Sequence, residues 1–340
     1  MNHSPSLNTR TISFAPVTLS ADTPPLVCAR QLILERAVEM ARGEEGTRRG
    51  EDIEALHDMR VWSRRLREAL EIFSFCFPER QYERLYNRVR QVTRTLGAAR
   101  NADVAVAYFT EQLDHATELL ERFALEDLLR RLVKQQKRER GRMQQRLSKK
   151  VKVAELPAAF ESVFQKLAHV SSARRRGPRT AGRLARTLLG QRLQEVFKVR
   201  AALAGEDHVE GLHNLRIAVK KLRYALEVLG FAAGEAAAGS LGFFKKLQTV
   251  LGDLHDRDVF LALVQERSAS LQQQPFSSLL LQGYEKVFAR LAGERHRFYA
   301  KYFELFGRAT LAEWRKRLVP PLPRPATPKT EAPAPPAAVN

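Results

Sequence analysis

Cysteine is nearly missing from this chain. Only Cys28 and Cys76 occur, too few for a disulfide framework and at no metal-ligand spacing. Both are expected to pack as small hydrophobes in a reducing compartment. Long apolar runs are missing too, none approaching the roughly 18 residues that a membrane-spanning helix needs. The N-terminal residues lack the charged-then-apolar pattern of a secretory signal, so a soluble, cytoplasmic protein is expected. No stretch alternates with period two between turn signals, which argues against a sheet. Acidic residues are the other shortage: 38 Asp and Glu face 57 Lys and Arg, a net charge of +19. An imbalance of that sign favours nucleic acid, phosphate polymers or anionic membrane surfaces as partners, and says nothing about fold.

What the chain does have is one helical stretch present twice. Glu54–Phe73 and Glu210–Leu229 align without a gap at an offset of 156, and nine of the 20 positions are identical. Arg64 and Arg65 meet Lys220 and Lys221, so the charge persists where the residue changes. An ungapped match of that length marks an internal duplication, which governs every later reading.

Helical geometry assigns the two faces. At about 100° per residue, Arg60, Arg64 and Arg67 lie within about 80° of His57. Met59, Trp62, Leu66, Ala69, Leu70 and Phe73 fall on the opposite side. In the second copy His213, Arg216, Lys220 and Arg223 share one face, and Leu215, Ala218, Leu222, Ala225 and Leu226 share the other. Like charges at i, i+3 and i, i+4 repel by a few tenths of a kcal/mol per pair, and a merely solvated face would interleave Glu. Keeping the same cationic stripe twice points to a polyanion lying along it.

The rest of the chain reads as helices between breaks, so the expected fold is all-α. Residues 1–25 are expected to form a loose tail closed by Pro24-Pro25. A first helix follows to about Arg42, and Gly43–Gly50 reads as a break. After Pro78 a helix should run to Leu96, with Gly97 closing it and Asn101 or Asp103 capping the next. From about Leu119 to Val151 a long basic helix is expected, interrupted at Gly141, with Arg131, Lys134, Arg138, Arg142, Arg146 and Lys149 on one stripe. The linker is placed at 171–180, dividing 26–170 from 181–318. At an offset of 155, Arg131, Arg142 and Arg146 map onto Lys286, Arg297 and Lys301, and Arg90 onto Lys245. Residues 319–340 are rich in Pro and Ala and cannot form a core.

These residues resemble the conserved histidine α-helical domain, or CHAD domain. Its motif His-x-x-Arg-x-x-x-Arg/Lys-Arg/Lys-x-Arg stands at His57–Arg67 and at His213–Arg223. Its second signature, Leu-Gly before a short acidic segment and Val, stands at Leu96–Val104 and at Leu251–Val259. The first copy departs from the pattern with Asn101, and the second has His255 where the first has Arg100. The resemblance spans roughly residues 26–318. It implies two four-helix bundles related by a pseudo-twofold, a basic central groove or channel, and binding of inorganic polyphosphate, with recruitment to polyphosphate granules.

The residues themselves favour anion donation over chemistry. Neighbouring cations repel a divalent ion at His57 or His213, and neither has a second ligand at i+4. A phosphohistidine route would need a general acid that the sequence does not offer. The Asn101/Asp103 and Asp256/Asp258 segments read as helix caps that pair with Arg100 or Arg257. Gly43–Gly50 lacks the Lys-Ser/Thr ending of a phosphate loop. Neither a metal nor a cofactor is therefore expected. The expected function is non-enzymatic binding of polyphosphate by His57, Arg60, Arg64, Arg65 and Arg67, by His213, Arg216, Lys220, Lys221 and Arg223, and by the wider set Arg90, Lys245, Arg131, Arg138, Arg142, Arg146, Arg297 and Lys301. Nucleic-acid binding is the alternative, though no helix-turn-helix, zinc-finger or RNA-recognition signature is present and the stripes lack stacking aromatics apart from Tyr224. A phosphoanhydride hydrolase ranks third, because the chain has no Glu-x-Glu-x-Lys motif.

Overall fold

The computed structural model describes residues 17–50, 53–149, 151–169, 177–275 and 277–319. Among these residues the regular elements are all helical. The first half contributes α1 (Pro25–Arg42), α2 (Glu44–Arg49), α3 (Ile53–Ile72), α4 (Glu79–His115), α5 (Leu119–Lys149) and α6 (Leu156–Ala168). The second contributes α7 (Ala181–Ala201), α8 (Val209–Ala233), α9 (Glu235–Gln272), α10 (Ser278–Tyr302) and α11 (Leu311–Leu318). The repeat is legible in this order: α1, α3, α4, α5 and α6 recur as α7, α8, α9, α10 and α11.

Packing follows the apolar faces. Met59, Leu66, Ala69 and Leu70 of α3 and Phe73 just after it are buried, as are Leu215, Ala218, Leu222, Ala225 and Leu226 of α8. Burying each large side chain stabilises by roughly 1.5–3 kcal/mol, which fixes how both helices are rotated and leaves the cationic faces on the other side. α3 packs on α1 and α4, and α1 on α6; α8 packs on α7 and α9, and α7 on α11. α3 also touches α8, joining the two copies through their histidine helices. Cys28 and Cys76 are free thiols inside this core.

A second apolar cluster was not anticipated. The far halves of the α4–α5 and α9–α10 hairpins interlock, with α5 against α10. Phe109, Leu125, Leu128 and Leu132 meet Phe260, Val264, Tyr284, Val287 and Leu291 there. Arg267 and Asp127 tie the same region across the copies, with Arg267 Nε donating to Asp127 Oδ2 at 2.7 Å.

Several sequence expectations are corrected. Neither Gly97 nor Gly252 ends a helix: α4 runs from Glu79 to His115 and α9 from Glu235 to Gln272. The helix continues because Leu96, Ala99 and Ala102, like Leu251 and Leu254, stay on buried faces, and that packing outweighs about 1 kcal/mol of glycine cost. Asn101, Asp103, Asp256 and Asp258 therefore cap nothing. Gly141 leaves α5 unbroken. Gly43–Gly50 is not an open loop but holds α2, closed by Gly50 at φ +74°, a left-handed angle that glycine adopts without strain.

At the N-terminus, part of the expected tail is docked. Gly182 N–H donates to Ala21 O at 2.7 Å and Ala181 N–H to Thr23 O at 2.9 Å, satisfying two of the donors that the start of α7 leaves open. Residues 1–16 and 320–340 lie outside the described residues, as does most of the 171–180 linker.

Candidate anion-binding site

The histidine helices bring cations of both copies together. Arg60 and Arg64 come from α3, Arg216 and Lys220 from α8, and each acts electrostatically on others in the set. Burial, followed by the charges of Arg64 and Arg100, pushes the Arg60 guanidinium down to about 10. Burial likewise pushes the Lys220 ammonium down to about 8, although Glu68 opposes the shift and Arg64 adds to it. Arg216 is lowered by burial against the pull of Asp256. Among the described residues Arg64, Arg216 and Lys220 have no hydrogen bond or ion pair, and Arg216 Nε is buried without an acceptor. Asp256 and Glu68 act on this cluster of desolvated cations without pairing with it, so the cluster is held at a cost that an anion would offset.

The two long helices complete the site. Arg60 donates to Gly97 O at 3.1 Å and to Asn101 Oδ1 at 2.9 Å. The repeat-related pair is Arg216 and Asp256, whose carboxyl is raised by burial while Arg216 pulls it down. His213 Nδ1 lies 3.3 Å from His255 Nδ1. On α4, Tyr86, Arg90, Gly97 and Asn101 fall within about 60° of one another, and Tyr86 and Asn101 both bond to α3. Arg90, exposed, thus stands on the face turned to α3. Lys245, also exposed, has the same relation to Gln248, which accepts from Arg223.

Other expected residues stand apart from the cluster. Arg223 is buried, donating to Glu227 Oε2 at 2.8 Å and to Gln248 Oε1 at 2.6 Å, with its guanidinium over the Tyr224 ring. Its counterpart Arg67 donates to Tyr86 Oη at 3.1 Å and lies 3.8 Å from Glu71. Arg65 crosses to the other copy, 2.8 Å from Glu227, and stacks on Trp62. Lys221 lines a cleft of about 930 Å³ between α7 and α8 with Arg192, Glu195 and Lys198. His57 is half-buried beside Arg60's helical face.

The wider stripe turns outward. Arg131, Arg138, Arg142 and Arg146 are exposed, and the first three lie on the side of α5 roughly opposite Gln136, which donates to Asp103. Arg142 pairs with Glu139 at 2.6 Å. Arg297 and Lys301 are exposed on α10, with Lys301 over the Phe298 ring. None of these six is among the charges that most affect Arg60, Arg216 or Lys220.

The acidic residues of the second signature have a structural role different from the expected one. Asp103 pairs with Arg140 at 2.9 Å rather than with Arg100, and Asp258 with Arg295 at 2.6 Å rather than with Arg257. Arg257 pairs instead with Glu294. Arg100, Asn101, His255 and Asp256 join the site although sequence reasoning left them out of it. The signal for them was the 155 offset, which sets Arg100 against His255 and Asn101 against Asp256. Among the described residues no group of three His, Cys, Asp or Glu side chains is placed to hold a metal, and no helix is long and apolar enough to cross a membrane.

A duplicated helical fold whose two halves bring basic faces together defines the class, an all-α protein built from two copies of one helical unit. The family model for the CHAD domain matches residues 31–265, and the chain belongs to that family. Among curated proteins it is similar to uncharacterised proteins from two Mycobacterium tuberculosis strains, CDC 1551 / Oshkosh and H37Rv, each 25% identical over 240 residues, 68% of this chain. Those 240 residues make up 44% of each relative, so the chain spans less than half of the length of either. Among solved structures, the CHAD domain from the plant Ricinus communis matches with a TM-score of 0.60 at 24% identity, over 89% of this chain and 94% of that one. PptA from Streptomyces chartreusis matches with a TM-score of 0.61 at 16% identity, over 84% of this chain and 100% of that one. At these identities the likeness concerns the fold.

Proposed function

We propose that this protein binds inorganic polyphosphate, without transforming it, in the basic groove between α3 and α8. The observation that carries this reading is the convergence of Arg60, Arg64, Arg216 and Lys220 with little carboxylate compensation. Guanidinium groups grip phosphate oxygens through paired N–H donors, and ammonium groups act as point charges. A phosphate polymer needs many such donors in a row and no platform for bases. Arg90 and Lys245 extend the row at its ends, while Arg65, Arg67 and Arg223 brace the helices through Glu71 and Glu227. Lys221 and the outward residues Arg131, Arg138, Arg142, Arg146, Arg297 and Lys301 add a long-range positive field. Association with polyphosphate granules follows from binding of this kind.

The test is a titration with long-chain polyphosphate at near-physiological salt, beside single-stranded RNA of equal charge. Tight polyphosphate binding that weakens steeply with salt, with RNA much weaker, supports the reading. Equal binding of RNA would mean a general polyanion binder, and absence of polyphosphate binding would overturn the proposal.

A further inference from the structure

We propose that His255 is a ligand-contacting residue of the second copy and that, with His213, it couples polyphosphate binding to proton uptake. This rests on the polyphosphate reading above and goes beyond it, because it assigns a residue and a pH dependence that the histidine motif does not contain.

The internal repeat supplies the position. His255 of α9 stands where α4 has Arg100, and the surroundings match as well. Arg100 acts on Arg60 in the first copy, and Arg216 acts on His255 in the second. The same place beside the groove is therefore permanently cationic in one half and conditionally cationic in the other.

The geometry supplies the condition. The two Nδ1 atoms are 3.3 Å apart and the ring centroids 4.7 Å. Two facing ring nitrogens at that distance hold one proton between them, one donating and one accepting. Protonating both rings breaks the contact and leaves two N–H groups that need acceptors. The charges around them are cations, or carboxylates that face cations. Arg216 and Lys220 of α8 are cations, and Arg60 faces the same groove from α3. Asp258, the carboxylate of α9 that acts on His213, is already held by Arg295 of α10. Asp256 of α9 faces Arg216, Arg257 and Arg60.

In the unliganded protein both histidines are consequently held neutral. Burial, then Arg216 and His213, pushes His255 down to about 4, and burial with Arg216 and Lys220 lowers His213. A phosphate chain compensates for burial because its oxygens accept the new N–H bonds, and its charge offsets the cations. Protons are then taken up on binding, and affinity rises as the pH falls.

The experiment titrates the full chain with long-chain polyphosphate at pH 7.5, 6.5 and 5.5 and constant ionic strength. Internal phosphate groups stay ionised throughout, so a pH dependence originates in the protein. The parent protein is compared with His255→Arg, which restores the first copy's residue, and His255→Gln, each first checked for an unchanged melting profile at pH 7.5. The parent should bind more tightly as the pH falls, by up to tenfold per pH unit, or about a hundredfold between pH 7.5 and pH 5.5, for each proton taken up across that range. His255→Arg should bind at least as well as the parent at pH 7.5 and lose much of the pH dependence. His255→Gln should lose the same dependence and bind more weakly at pH 5.5. An unchanged dependence in both variants would overturn the proposal while leaving polyphosphate binding intact. Absence of binding by the parent at every pH would instead overturn the reading on which the proposal rests.

Discussion

Arg295 Nε donates to Asp258 Oδ1 at 2.6 Å, and the same guanidinium reaches Glu206 O at 2.8 Å. One residue of α10 thereby fixes α9 and the loop that leads into α8. Both partners are largely buried, and removing one partner of a buried pair leaves an uncompensated charge. Asp258→Ala is therefore expected to lower stability by about 3 kcal/mol in chemical denaturation. Asp103→Ala should do the same through Arg140. Substitution at Asp256, which carries no such pair, should cost much less.

Arg64 is expected to show the opposite behaviour. Its charge lowers Arg60, Arg216 and Lys220 together. Arg64→Met should raise the melting temperature by a few degrees, on the order of 1 kcal/mol, while weakening polyphosphate binding at least tenfold. The Lys220 pKa should move up from about 8, slowing its acylation at pH 8 by a readily measured factor.

Gly97 and Gly252 separate ligand access from folding. A Cβ at either would meet nothing within 4 Å, so neither glycine is required by a close approach inside the protein. Both lie on the faces that carry Asn101 and Asp256. Gly252→Ala should stabilise α9 by about 1 kcal/mol. Gly97→Leu should leave helical content and melting intact yet reduce polyphosphate affinity, because the side chain projects where the polymer would lie.

The unliganded protein should lose stability as the solution is acidified from pH 6.5 towards pH 4. His255 has a folded pKa of about 4 against an ordinary value of 6.5, so the unfolded chain binds more protons in that window. Stability then rises with pH there, by less than the full linkage value because solvent screens this half-buried site. Lys220 gives the same sign between about 8 and 10.5. Denaturant melts of the parent and His255→Gln should diverge below pH 6.5, and polyphosphate should shrink the loss in the parent.

The histidine helices were legible because burial and charge both follow the helical period, and the repeat supplied the evidence twice. The absence of period-two alternation argued against a sheet. Gly97 was misread because local glycine preference is weaker than the packing of Leu96 and Ala99, and Gly252 is carried through α9 in the same way by Leu251 and Leu254. Arg67 and Arg223 lie on the expected side of their helices, yet Glu71 and Glu227, four residues on, engage them. That spacing was visible in the sequence. The basic stripe of α5 is real, but periodicity cannot say which neighbour a face meets, and here Asp103 draws Gln136 and Arg140 inward and leaves the stripe outside. The repeat register already set His255 against Arg100, and the structure adds that its ring meets His213.

The interlock of α5 with α10 has a consequence for how such a molecule can be divided. Among the described residues, the apolar end of each half's hairpin packs against the hairpin of the other half. Expressed alone, residues 26–169 would bare Phe109, Leu125, Leu128 and Leu132, and the surface best shaped to cover them is a second copy of the same hairpin. A severed half should therefore behave as a self-pairing subunit, and the intact chain as a symmetric dimer whose two members have been joined end to end.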